Sequence, residues 1–302
     1  MNAAQVDLFD FKGLTVMQNL KALSLSVLMI GSLMALSAPV YAANDGSIRG
    51  ECKRLSRGER GRDFASAGTQ DLDDLGYRAY QQGNYTTAIN YFTQAIDKDP
   101  QNVQALLDRA DARRAVGDYL NAIADYSMLR IAPLQPDSLT NIGYCHASLN
   151  NFPGALADFN NSLALRSTGD SAVSAYSGRA AVKRLMHDIQ GALADCDAAL
   201  RLDPDSLDPR WQRAVTYYAS QQYAKAVPDL TIVVGKEPRF ADAHLMLAQC
   251  YERMGNKANA IAEYQKANYL YQQAHDDDGV QQTTNALKVL QASAGAKLRP
   301  VS

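Results

Sequence analysis

Histidine is scarce in this 302-residue chain: His146, His187, His244 and His275 lie far apart, with no HExxH or HxH spacing among them. That excludes the helix-borne zinc sites that place two imidazoles on one face. Phosphate-cradling glycine loops are missing as well; the GK of Gly235–Lys236 has no loop of the GxxxxGK kind before it, and no GxGxxG follows a strand pattern. There is no GxSxG nucleophile turn and no EF-hand loop. The cysteines Cys52, Cys145, Cys196 and Cys250 show neither a CxxC nor a metal-ligand spacing, so no metal, no cofactor and no essential disulfide is expected. With a net charge of -2 and a pI of about 6.1, the chain has no broad positive field to draw it to nucleic acid or anionic lipid. These absences point away from an enzyme and away from a nucleic-acid binder.

What the chain has instead is repetition. The phrase "YQQGNYTTAINYFTQAIDKDP", Tyr80 to Pro100, returns in altered form five more times. Anchored on Ala88, Ala122, Ala155, Ala192, Ala226 and Ala260, the copies are 34, 33, 37, 34 and 34 residues apart. Twelve residues before each anchor stands Gly or Ala: Gly76, Ala110, Gly143, Ala180, Ala214 and Ala248. Four residues after comes Phe92, Tyr126, Phe159, Cys196, Leu230 or Tyr264. Spacings of four and seven put such residues on one helix face. Two antiparallel helices approach closely only where small side chains face each other, and a large neighbour then fills the adjoining gap. Pro100, Pro204 and Pro238 close three copies, while Pro153 and Pro209 sit at expected helix starts, both placements that proline tolerates.

On these residues the chain resembles the tetratricopeptide repeat family, a 34-residue helix–turn–helix unit. The resemblance covers residues 69–274 as six units and is fullest in the first, where Gly76, Gly83, Tyr85, Ala88, Phe92, Ala95 and Pro100 all fall in place. The third unit lacks its closing proline, and the stretch "RSTGDSA" behind the 37-residue interval is expected to bend the array. Lys257 stands where the last unit should carry an aromatic. The resemblance implies an all-α, right-handed superhelical solenoid of about six helix–turn–helix repeats. A C-terminal capping helix over residues 276–294, with Asp276 to Asp278 in its first turn and Val280, Leu287 and Leu290 on its apolar face, would cover the last repeat. Residues 295–302 form a tail. His275 beside three aspartates is not read as a metal site, since four adjacent residues do not converge on one ion.

In that family the first helix of each repeat lines a concave groove. Carried onto this chain, the groove residues are Tyr77, Tyr80, Leu107, Arg114, Tyr144, Leu185, Trp211, Val215 and Tyr218, with the single tryptophan among five aromatics. Members that grip chaperone carboxyl termini use Lys and Asn at set positions. Here those positions hold Asp73, Tyr77, Asp108, Asp137 and Asn141, and three of them would repel a carboxylate. A second pattern comes from internal comparison. Arg109, Arg179 and Arg213 each precede the small residue, and each has an aspartate sixteen residues on, Asp125, Asp195 and Asp229. These read as half-buried ion pairs between the two helices of one repeat. The expected function is a non-catalytic scaffold or assembly adaptor that binds a peptide or protein partner. The alternatives are an RNA-binding helical-repeat protein, which needs a basic groove, and a regulatory subunit of an exported enzyme.

The N-terminal stretch "MQNLKALSLSVLMIGSLMALSAPVYA", Met17 to Ala42, has a short basic start, an apolar core and small residues before Ala42. That is the shape of a secretory signal peptide, with translation starting at Met17 because Asp7 and Asp10 suit such a start poorly. Residues 43–68 then form a flexible basic leader containing Cys52. The expected address is therefore an exported one, the periplasm, a thylakoid lumen or the exterior, with membrane association only through residues 22–62. N-terminal sequencing of the exported protein should read from Ala43; an intact Met1 or Met17 would contradict cleavage.

Overall fold

The computed structural model describes residues 67–129 and 135–295, so the signal-peptide stretch, Cys52 and the tail beyond Gly295 lie outside the described residues. Thirteen α-helices occupy the described residues, with no strand among them. They pair as α1 (Ala67–Gln81) with α2 (Tyr85–Lys98), α3 (Val103–Ala115) with α4 (Tyr119–Met128), and α5 (Pro136–Ser148) with α6 (Phe152–Leu165). The next pairs are α7 (Asp170–Leu185) with α8 (Ile189–Leu202), α9 (Leu207–Ala219) with α10 (Tyr223–Lys236), and α11 (Ala241–Arg253) with α12 (Lys257–Ala274). The last helix, α13 (Asp277–Gly295), packs on α12. Besides packing on its own second helix, α1 touches α3, α5 touches α7 and α7 touches α9, so first helices stack on first helices.

The close approach is visible at the small residues. Ala88, Ala122, Ala155, Ala192, Ala226 and Ala260 are all fully buried. A Cβ placed on Gly76 would lie 2.5 Å from the Phe92 ring, and one on Gly143 would lie 2.8 Å from Phe159. Phe159 also reaches forward: a Cβ on Gly178 of α7 would meet it at 2.5 Å. One aromatic is thus held between glycines of two successive first helices, a contact across the repeat boundary that the spacing within one repeat does not reveal.

The turn inside every repeat uses one device. Five residues before each anchor alanine, the backbone enters the left-handed region: φ is 76° at Gly83, 83° at Gly117, 57° at Asn150, 64° at His187, 60° at Gln221 and 76° at Gly255. That conformation ends the first helix and turns the chain into the second. Three of the next residues then cap the second helix, with the side chains of Asn151, Asp188 and Asn256 accepting from the backbone N–H three residues on. Glycine adopts this conformation freely, whereas His187 and Gln221 hold it against a steric penalty.

The 37-residue interval shows in the structure as a longer first helix. Helix α7 has 16 residues where α3, α5, α9 and α11 have 13. The three added residues lengthen its start by roughly 4.5 Å at the helical rise per residue. Only the short link from Arg166 to Gly169 remains between α6 and α7.

At the far end, Asp276 accepts from Gly279 N–H at 3.0 Å and Asp277 and Asp278 occupy the first turn of α13, where the helix dipole favours acids. Thr283 and Leu290 are buried against the array, while Val280 and Leu287 are half-buried. No described helix is long and apolar enough to cross a membrane. Replacing Gln221 with glycine should raise the free energy of unfolding by about 1 kcal/mol, and Gly83→Ala should lower it by a similar amount, both read from urea denaturation.

Candidate functional site

The first charged constellation lies where helix pairs meet. Arg109 grips Asp125 with two bonds, Nε to Oδ2 at 3.0 Å and Nη2 to Oδ1 at 2.8 Å. Arg179 holds Asp195 in the same way at 2.8 and 2.6 Å, and Arg213 holds Asp229 at 2.8 and 2.8 Å. The carboxylates are nearly enclosed, their side chains only 2%, 6% and 5% exposed. A bidentate guanidinium–carboxylate pair of this kind fixes orientation as well as distance.

The remaining guanidinium nitrogen reaches backwards into the preceding repeat. Nη1 of Arg109 donates to Thr93 Oγ1 at 3.3 Å, Nη1 of Arg179 to Asn160 Oδ1 at 2.6 Å and Nη1 of Arg213 to Asp197 Oδ1 at 2.8 Å. Thr93, Asn160 and Asp197 each stand five residues after their anchor alanine. Each arginine therefore ties its own second helix to the second helix before it. A second cation also reaches the acid: Arg113 on Asp125 at 2.6 Å, Lys183 on Asp195 at 2.8 Å and Arg210 near Asp229 at 3.5 Å. The pairwise sequence comparison missed both additions, although the back-accepting residues, five after each anchor, keep a constant register.

Where the arginine is replaced, histidines serve the acid. His146 meets Asp158 at 2.6 Å and His244 meets Glu263 at 2.6 Å, the latter carboxylate also taking Lys266 at 2.9 Å. Burial pushes the thiols of Cys145 and Cys250 up to about 12 and that of Cys196 higher still, so these three free cysteines are not thiolates near neutrality. No cluster suited to a metal ion occurs among the described residues.

The residues expected on an open groove wall divide. Trp211 is corrected outright: it is 4% exposed, its ring centroid 4.8 Å from that of Phe240, so it is a core residue locking α9 against the approach to α11. Tyr144 is half-buried and tied to the next repeat, its hydroxyl donating to the Ser174 carbonyl at 2.8 Å and its ring edge-on to Phe159 at 5.2 Å. Tyr80 meets Tyr85 at 5.2 Å and Tyr218 meets Tyr223 at 5.4 Å, both edge-on and in the same register of their repeats. Tyr77, Leu107, Leu185 and Val215 are half-buried on first helices. Sequence spacing placed all of these on one helix, but a helix face shared between the groove and the next repeat looks the same at that level.

Two arginines on first helices behave differently from the bolting ones. Arg114 lies 4.0 Å from Asp111, whose carboxylate also accepts from the Tyr126 hydroxyl; burial works to lower the Arg114 pKa, but Tyr126 and Asp111 outweigh it and hold the guanidinium above its ordinary value. Arg184 is 8% exposed, its Nε has no hydrogen-bond acceptor, and no carboxylate lies within ion-pairing distance among the described residues. Burial lowers its pKa. It stands four residues after the small Ala180, the position of Tyr80, Arg114 and Tyr218 in their repeats.

Helix pairs stacked first on first, closed by a separate capping helix, define an all-α helical-repeat solenoid. The family model described as "Tetratricopeptide repeat" matches residues 74–138 and 212–277. Among curated proteins, the Hsp70-Hsp90 organizing protein of Triticum aestivum is 22% identical over 205 residues, covering 64% of this chain and 33% of that protein. The chain thus spans about a third of the length of the curated relatives it matches first. Among solved structures, the Cut9–Hcn1 hetero-tetramer of the APC/C superposes with a TM-score of 0.63 at 16% identity, covering 86% of this chain and 52% of that one. The type IV pilus biogenesis factor PilW gives 0.59 at 19% identity, covering 68% of this chain and 94% of that one. At such identities the likeness is one of fold.

Asp125→Ala would strand both Arg109 and Arg113 at the interface of α3 and α4. It should cost about 3–5 kcal/mol, measured by chemical denaturation; a loss below about 0.5 kcal/mol would make the pair a surface feature.

Proposed function

We propose that this chain is a non-catalytic interaction scaffold or assembly adaptor that holds a peptide or protein partner along its first helices. The observation that carries the reading is Arg184. Burying a charge without a partner destabilises a fold by several kcal/mol in order of magnitude. The bolting arginines each have a carboxylate, and Arg114 has Asp111 nearby. Arg184 holds a nearly enclosed positive charge that no acid in the described residues neutralises. A partner's anionic group on the first-helix face would supply what the chain itself withholds. The neighbouring first-helix residues Tyr80, Arg114 and Tyr218 give the same face the residue types that dominate binding energy when desolvated.

Relatives named for organizing Hsp70 and Hsp90, and a fold shared with subunits of larger assemblies, are consistent with this reading. The aspartates at Asp73, Asp108 and Asp137 set it apart from a grip on a chaperone carboxyl terminus. The signal-peptide shape of Met17 to Ala42 supports an exported address, the periplasm, a thylakoid lumen or the exterior.

The test is Arg184→Met, which keeps the apolar stem and removes the charge. Its melting temperature should match or exceed that of the parent, while capture of a discrete partner from a cross-linked periplasmic or lumenal extract should be lost. Unchanged capture would show that the first-helix face is packing only. A captured RNA in place of a protein would favour the RNA-binding alternative.

A further inference from the structure

A cavity of about 580 Å³ opens between the second and third repeats, where α4, α5 and α6 meet. Its lining includes Ile123, Ser127, Ile142, His146, Asp158 and Asn161. The other repeats show what this place holds elsewhere. Ile142 stands at the position of the bolting arginines Arg109, Arg179 and Arg213, one residue before the small Gly143. Asp158, three residues after its anchor, is the counterpart of the gripped Asp125, Asp195 and Asp229. Ser127, five residues after its anchor, is the counterpart of the back-accepting Thr93, Asn160 and Asp197.

The second cation is present in its usual place. His146 meets Asp158 through Oδ2, the same oxygen that Arg113 takes on Asp125 and Lys183 takes on Asp195. In those repeats the other oxygen, Oδ1, belongs to the bolting arginine. On Asp158, Oδ1 has no hydrogen-bond partner among the described residues. The junction before the last repeat differs, since both oxygens of Glu263 are taken there, by His244 and Lys266.

We infer that the cavity beside Asp158 is a receptor for a guanidinium supplied in trans, an arginine side chain of a partner protein. The acceptors are a carboxylate oxygen and the Ser127 hydroxyl; at the same two positions this fold holds its own guanidinium three times, with a carboxylate each time and a hydroxyl, an amide oxygen or a second carboxylate behind it. The apolar wall of Ile123 and Ile142 suits the arginine stem, which packs on hydrocarbon while its head stays polar. A guanidinium with its planar fork fits this frame better than an ammonium does. The site lies at the second helices and is separate from the Arg184 face.

The experiment titrates the full-length chain with the peptide Ac-Gly-Gly-Arg-Gly-Gly-NH2 and with its citrulline counterpart, which has the same shape and no charge. Binding is followed by the ¹H–¹⁵N shifts of residues around Asp158. The arginine peptide should bind at least ~10-fold more tightly than the citrulline peptide, a difference of about 1.4 kcal/mol. The preference should vanish in Asp158→Asn. It should vanish also in Ile142→Arg, where the chain supplies its own guanidinium and the thermal midpoint rises, which keeps the test valid if Asp158→Asn folds poorly. Equal binding of the two peptides, or no binding of either, overturns the inference.

Discussion

Everything in the array depends on how closely two antiparallel helices can approach at the anchor alanines. With a methyl group or a hydrogen at the crossing, Ala88 packs with Ala79 and Ala122 with Ala110, and Phe92, against Gly76, and Tyr126 drop into the gaps beside them, fully buried. One such pair cannot hide its own apolar face. Stacking the next pair on it does so, and the interface is repeated rather than reinvented. Interior packing at this density leaves little slack, so a larger side chain at a crossing must move a neighbour.

On that apolar contact the chain adds a directional one. The three bolting arginines each join three helices, one bidentate grip on their own second helix and one bond back to the repeat before. Apolar stacking alone tolerates sliding, whereas a planar fork on a buried carboxylate accepts one register. The same logic makes the exceptions informative. The junction led by Ile142 has the acid and the hydroxyl without the fork, and a cavity lies there. In the last repeat, where Leu247 takes the arginine's place before Ala248, Glu263 is met by a histidine and a lysine instead. Arg184 inverts the pattern, a nearly enclosed cation for which the described residues provide no acid.

Much of this was legible in the residues because the repeat supplies its own alignment. The helix pairs, the buried alanines and the Arg–Asp spacing of sixteen are periodic, and periodicity survives without coordinates. What was not legible depends on contacts between repeats. Trp211 reads as a groove residue by register and is buried because Phe240, from the link to the next pair, closes over it. Tyr144 lies one turn further along the same face of its own first helix and is tied by its hydroxyl to Ser174, thirty residues on. The 37-residue interval reads as an insertion in a loop, yet it lengthens α7, since "DSAVSAYSGRAAVKRL" continues without a helix breaker after Gly169. The left-handed turn at His187 and Gln221 was hidden for the opposite reason: neither residue announces it, and only Gly83, Gly117 and Gly255 at the same register do.

The proposed function divides the molecule into a layer of contacts that bolts the repeats through their second helices and a first-helix face proposed to meet a partner. A photo-crosslinking residue introduced at Ala181, half-buried on α7, compared with one at Ala194, exposed on α8, tests that division directly. Irradiation in the native extract should give a discrete cross-linked partner from position 181 and none from position 194. The same partner from position 194 alone would contradict the assignment of the first helices as the binding face.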